Sequence, residues 1–312
     1  MANKREFTFC SRDEKNDVHV IEWSPEDGKV SGVVQLIHGM TEYIERYEGF
    51  AEFLTKQGLL VIGHDHLGHG KTAATVEDRG YFHKEDGNGM LLGDIHQLRN
   101  LTEERFPNVP YFMVGHSMGS FLLRQYLYLH GEGLCGAVVM GTGTQPMAIL
   151  KLGKLVCRVL AKRYGWRHRS KLIHSLAFGN YVKKIKDAKT SRDWLTKDEV
   201  ILERYGKDPL CTFIFTLNGY YNMFHSISEA SLIENMEQMP KELPVMFVAG
   251  GDDPVGNYGK GVHQVRKAFE SVGMKDVTWI IYEGDRHEIL NELDKEKVYQ
   301  DIYTWMYVRM QG

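Results

Sequence analysis

Six short apolar runs punctuate the chain: Gly32–Ile37 (GVVQLI), Leu59–Gly63 (LLVIG), Tyr111–Gly115 (YFMVG), Cys135–Met140 (CGAVVM), Pro244–Gly250 (PVMFVAG) and Val277–Tyr282 (VTWIIY). They are apolar almost throughout and do not alternate with polar positions, which suits strands buried on both faces, as in a parallel sheet. Between them lie segments with helical spacing: Tyr47–Gln57, Met90–Phe106, Met118–His130, Tyr258–Ser271 and Lys295–Met310. Strand–helix alternation predicts an α/β fold, a mostly parallel central sheet flanked by helices and built from right-handed crossovers. The opening stretch, Glu6–Glu22, predicts a hairpin at an antiparallel edge of that sheet.

The alternation lapses between residues 145 and 239, which read as mostly helical. Ile149, Leu152, Val156, Val159 and Leu160 follow helical spacing, with Lys151, Lys154, Arg158 and Lys162 off that stripe. The expected organisation is one core, residues 1–144 and 240–312, interrupted by a helical cap at 145–239. Charge sharpens this division. Residues 151–189 hold 12 Lys or Arg and a single acid, Asp187, so this segment carries +11 and the remainder −14. Such asymmetry is an argument about surfaces and partners. It admits two readings, attraction of a basic cap to an anionic phospholipid or fatty-acid surface, or a merely solvated helical face. No nucleic-acid-binding module accompanies it.

The strongest chemical signal is Gly115-His116-Ser117-Met118-Gly119. A bare G-x-S-x-G is a weak motif, but here a strand precedes it and a helix follows, the context a nucleophile at a strand-to-helix turn requires. The flanking glycines relieve crowding, and the helix N-terminus offers free N–H groups to developing negative charge. A serine hydroxyl needs a base, and the base an orienting acid, in the chain order Ser, Asp or Glu, His. Of the histidines well downstream, His225 falls inside the cap and His263 inside a helix-like segment. His287 follows strand VTWIIY in the loop EGDRHE and is the expected base. The acid should end the preceding strand, which runs into Gly251-Asp252-Asp253-Pro254. Two adjacent aspartates compete there, and Asp253, before Pro254, is the choice. The oxyanion hole needs backbone N–H groups from the residue after the nucleophile, Met118, and from the loop after an early strand. His38-Gly39-Met40-Thr41-Glu42 provides Met40.

These residues resemble a known family. HGMTEYIERYEGFAEFLTKQGLLVIGHDHLGHGKT, followed by GHSMG, GGDDPVG and RHEILNE, is similar to monoacylglycerol lipases and bacterial lysophospholipase-like serine hydrolases of the α/β-hydrolase superfamily. The resemblance covers residues 30–145 and 240–310, and the cap matches more loosely. It implies an α/β-hydrolase fold and a lipid-ester hydrolase acting through an acyl-enzyme, with Ser117, Asp253 and His287 as triad and the Met40 and Met118 amides as oxyanion donors. It selects Asp253 over Asp252. Thr41 stands where many relatives have Gly, and Ser120 replaces a Gly after the elbow; both adjoin the acyl pocket and bear on substrate size. Dehalogenase chemistry would need Asp in place of Ser117, and proline-type aminopeptidases usually carry HGGPG where this chain has HGMTE. A small-ester or feruloyl-type esterase remains the alternative.

Composition adds exclusions. Of 312 residues, 43% are hydrophobic and 25% charged, ordinary values that exclude disordered and collagen-like classes. Cys10, Cys135, Cys157 and Cys211 form no CxxC pair and read as idle thiols of a reducing compartment. The N-terminus has no secretory apolar core, so the expected location is cytoplasmic, with peripheral membrane contact through the cap. His64-Asp65-His66-Leu67-Gly68-His69 invites a metal reading, but in the resembling family Asp65 and His66 fix a turn. No metal, cofactor or nucleic acid is expected. Asp285 and Glu288, beside His287, read as solvated loop charges.

Overall fold

The computed structural model describes residues 2–186 and 188–311. Eight strands form one sheet in the order β1-β2-β4-β3-β5-β6-β7-β8. They are β1 (Asn3–Cys10), β2 (Asp17–Ser24), β3 (Gly32–Ile37), β4 (Leu59–His64), β5 (Tyr111–His116), β6 (Gly136–Met140), β7 (Val245–Gly250) and β8 (Val277–Tyr282). From β4 onward across the sheet all pairs are parallel, while β2 runs antiparallel to both β1 and β4. The expected N-terminal hairpin is therefore present, and it extends the sheet rather than standing apart from it. β3 to β7 are buried along their whole length. β8 is only half-buried, although its sequence is as apolar as the others, because it is the last strand of the sheet.

Helices α1 (Glu48–Lys56), α2 (Gly87–Arg105), α3 (Met118–His130), α9 (Lys260–Ser271) and α10 (Lys295–Met310) cover the two faces. One apolar core gathers Leu98, Leu122, Tyr126 and Phe269, and the other Phe50, Leu54, Ile302 and Met306. Between β6 and β7 the chain runs through α4 (Met147–Tyr164), α5 (Lys171–Phe178), α6 (Glu199–Lys207), α7 (Leu217–Glu229) and α8 (Ile233–Met236). This segment is tied to the rest by buried polar bonds. Asn218 Oδ1 accepts from Phe82 N (3.0 Å), Asn222 Oδ1 from Asn88 N (3.1 Å), and the buried Arg124 of α3 donates to the carbonyls of Gly143 and Ala230.

α4 follows the expected stripe only in part: Val156 and Leu160 are half-buried and pack against the core, but Ile149, Leu152 and Val159 do not. Its buried face is Leu150, Cys157 and Ala161, while Ile149, Leu152, Leu155 and Val159 are exposed, Leu152 by 60%. The cause is its packing on α7: a Cβ on Gly153 would lie 2.9 Å from the Phe224 ring, so the contact face takes small residues. The remaining apolar side chains, Ile149, Leu152, Leu155 and Val159, are left toward solvent. α5 likewise buries Ile173 and exposes Leu172 and Leu176, the latter by 70%.

Candidate active site

The strand-to-helix turn at Ser117 is strained in the way its flanking glycines allow. Ser117 has φ +53°, outside the ordinary range for a non-glycine residue. A Cβ on Gly119 would lie 2.0 Å from the Ile37 carbonyl, and one on Gly115 would lie 2.5 Å from the Gly119 carbonyl. Only glycines permit α3 to start this close to the ends of β3 and β5. Ser117 N donates to Met140 O (3.0 Å), fixing the turn to β6. Met118 is the first residue of α3, so its N–H is among those that an α-helix leaves without an internal partner.

His287 and Asp253 meet after their strands. Asp253 is fully buried; its Oδ2 lies 2.9 Å from His287 Nδ1, and its Oδ1 accepts from Val255 N (2.8 Å). The neighbouring Asp252 is exposed. The His287 ring lies over Gly141, where an added Cβ would be 3.1 Å from its Cε1, one residue beyond the carbonyl that holds Ser117 N. The Asp253–His287 pair thus lies beside Gly141, next to the Met140 carbonyl that holds Ser117 N. His225 instead pairs with Glu229, and His263 lies exposed on α9 near Trp279. Trp194 covers the His287 ring (centroids 5.0 Å apart) and is itself packed by Tyr181 and Phe178. The segment carrying Trp194 is pinned to the His287 loop. Trp194 O and Leu195 O accept from His287 N and Glu288 N, and Arg286 donates to Asp193 O and Thr196 O.

On the other side of Ser117 is Met40, in the loop after β3. Gly39 is required there: a Cβ would lie 2.9 Å from Ser117 Cβ. This loop is held by Glu42, a buried carboxylate whose importance the sequence reading missed. Its Oε1 accepts from Gly39 N, from His116 Nδ1 (2.9 Å) and from Tyr47 OH (3.0 Å), and its Oε2 from Arg46 (3.1 Å). The second His116 nitrogen, Nε2, faces the His287 carbonyl at 3.2 Å. Both ring nitrogens face acceptors, so His116 is an imidazolium, a donor on both sides. Burial opposes that charge, but Glu42, with Glu288, outweighs it and the His116 pKa moves up. Burial likewise opposes the Glu42 carboxylate, and His116 and Arg46 outweigh it and hold its pKa well down.

Glu288 and Asp285 are not solvated loop charges. Glu288 is buried and takes both guanidinium nitrogens of Arg46 (2.9 and 2.6 Å), and the buried Asp285 binds Lys197 Nζ (2.6 Å). The mistake has a physical origin: their partners lie far away in the sequence, so the local polar pattern resembles any surface loop. For Glu42 the i, i+4 spacing to Arg46 was a signal in the sequence; Glu288 and Asp285 had none, since Arg46 and Lys197 lie far from them along the chain. The His64–His69 segment is a buried turn. Asp65 accepts from Ile44 N and Lys71 N (both 2.8 Å) and meets His19 Nδ1 (2.9 Å). Burial and neighbouring imidazoles push His64 and His69 down to about 3, so these rings are neutral.

A family model described as Hydrolase_4, serine aminopeptidase S33, matches residues 28–294. The monoglyceride lipase of Rattus norvegicus is 26% identical over 296 residues, covering 91% of this chain and 84% of the relative. The monoacylglycerol lipase of Mycolicibacterium smegmatis is 26% identical over 298 residues, covering 91% and 90%. Among solved structures, a highly thermostable carboxyl esterase from Bacillus coagulans, in complex with glycerol, superposes with a TM-score of 0.91 at 30% identity, covering 98% of this chain and 99% of that one. With the family match running from before β3 to beyond the His287 loop, this chain belongs to the Hydrolase_4 (serine aminopeptidase S33) family and is a monoacylglycerol lipase-like serine hydrolase of the α/β-hydrolase fold.

Proposed function

We propose that this protein hydrolyses lipid-like carboxylic esters, monoacylglycerols or lysophospholipids, through Ser117, His287 and Asp253. The observation that carries the reading is the buried Asp253–His287 bond beside a serine on a strained elbow. His287 takes the Ser117 proton as the hydroxyl attacks the ester carbonyl, and Asp253 holds the imidazole tautomer and stabilises the imidazolium. The amides of Met40 and Met118 bind the oxyanion. His287 then protonates the leaving alcohol, and water attacks the acyl-enzyme by the same route. The HGMTE loop and the lipase relatives favour ester over peptide substrates. Ser117→Ala is expected to abolish turnover of a panel running from acetyl to oleoyl glycerides, lysophospholipids and hydroxycinnamates. Retained esterase activity in that variant refutes the assignment. The likeness to the Bacillus carboxyl esterase favours a second reading, a small-ester esterase, for which the acetyl members of the panel would be turned over fastest.

The helical segment at 145–239 is, in this proposal, a cap whose basic, apolar face meets an anionic lipid surface. Leu152, Leu155 and Val159 of α4 and Leu172 and Leu176 of α5 are exposed within the +11 stretch, and Ile149 just before it. Lys or Arg near such a surface contributes about 1 kcal/mol each, and a buried leucine roughly 1.5–3 kcal/mol. Among the described residues no helix is long and apolar enough to cross a membrane.

A further inference from the structure

Thr41 follows Met40 directly and has φ +53°. The left-handed region suits glycine; a β-branched residue there is an outlier that persists only where its surroundings hold it. The surroundings here come from α6, more than 160 positions away in the chain. Tyr205 OH donates to Thr41 O (3.2 Å), and the Thr41 hydroxyl meets the same phenol at 2.8 Å. Two residues on, Tyr43 OH donates to Asp208 Oδ2 (2.7 Å), where Asp208 ends α6. The Arg46 guanidinium lies 5.0 Å from the centre of the Tyr205 ring. At its other end α6 is capped by Asp198, beside Lys197, which binds Asp285 of the His287 loop. One short helix therefore bridges the loop that carries Met40 and the loop that carries His287.

We propose that Tyr205 is a positioning residue for the oxyanion hole: its hydroxyl, delivered by α6, holds Thr41 in the left-handed conformation and so keeps the Met40 N–H aimed at the reacting carbonyl oxygen. This rests on the reading of Met40 as an oxyanion donor. A glycine at position 41 would adopt the same backbone without assistance. The chain instead carries a threonine and a tyrosine that answers it, so the competence of the hole depends on the seating of α6. The hole is fully formed when α6 is docked and loses a donor when it shifts.

The test is a double-mutant comparison of Y205F and T41G, with kcat and KM measured on a water-soluble short-chain aryl ester. Tyr205→Phe keeps the ring against Arg46 and removes only the hydroxyl. Loss of a whole oxyanion donor costs roughly 100–1,000-fold in kcat, so misaiming one donor should cost about 10-fold. The expected result is a fall in kcat of about 10-fold at nearly constant KM for Y205F, with a matching loss of affinity for phenylboronic acid as the tetrahedral mimic. In the T41G background, adding Y205F is expected to change kcat by less than about 2-fold, because glycine needs no clamp. Equal losses in both backgrounds, a change confined to KM, or an unchanged kcat would each overturn the proposal. Thermal melts of all variants separate a folding defect from a catalytic one. Failure of the triad reading is distinguished independently, since it appears as activity retained by Ser117→Ala whatever Tyr205 does.

Discussion

Replacing Glu42 by Gln keeps the shape of the buried node beside Ser117 and removes its charge. The carboxylate accepts from Gly39 N, His116, Tyr47 and Arg46 at once. An amide offers one acceptor oxygen and turns two donors toward groups that are themselves donors. Arg46 retains Glu288, but the His116 imidazolium loses the hydrogen-bonded carboxylate that stabilises it. Removing one member of a buried ion pair costs about 3–5 kcal/mol. At roughly 2–4 °C per kcal/mol for a domain of this size, Tm should fall by about 6–20 °C. The pH dependence carries a sign. His116 has a folded pKa above its ordinary 6.5, so its contribution is complete below 6.5 and is lost as pH rises through the raised value. Glu42 has a folded pKa below its ordinary 4.5, so its contribution is present above 4.5 and is lost as pH falls toward the depressed value. The gap between wild type and E42Q should be widest between 4.5 and 6.5 and narrow on the alkaline side. Differential scanning fluorimetry across roughly pH 5–9 measures this. A gap under about 2 °C throughout, or one that widens steadily with pH, refutes the argument.

Two further outcomes follow from burial and exposure. Asp94 is buried on α2, and burial raises its carboxyl to about 6 from 3.8 despite bonds from Ser11 Oγ and Arg12 N. The folded state thus holds the proton more tightly, and stability should decline by up to about 3 kcal/mol as pH rises from 3.8 to about 6. Denaturant unfolding should show Asp94→Asn flattening that slope, and an unchanged slope would count against the raised value. For the α4–α5 face, a Leu152→Gln and Leu176→Gln double variant should sediment with anionic vesicles at least 10-fold less than wild type while keeping its Tm and its rate on soluble esters. Equal sedimentation would remove the apolar side chains from the proposed membrane contact.

The apolar runs located all six parallel strands to within a residue or two, because β3 to β7, buried on both faces, leave a signal in any local window and the half-buried β8 is as apolar as they are. The elbow was legible because Gly115, Ser117 and Gly119 are neighbours in one pentapeptide between a strand and a helix, although the atoms that crowd Gly119 belong to the end of β3. The buried face of α4 was not legible. Its small residues are selected by the approach of Phe224, some 70 residues later, and of the predicted stripe only Val156 and Leu160 pack against the core while Ile149, Leu152 and Val159 face solvent. Nor was the charge node at Glu42, where the carboxylate meets His116 and Arg46 ties it to Glu288 from three separate stretches of chain. By itself the sequence determined the strands, the order in which Ser117, Asp253 and His287 occur, and the segment where the strand pattern stops. Tertiary structure decided which charges are buried, which apolar face is left to solvent, and that Thr41 rests on Tyr205. Periodicity records what a residue's neighbours in sequence require, whereas burial and pairing are set by partners that only the folded chain brings within a few ångströms.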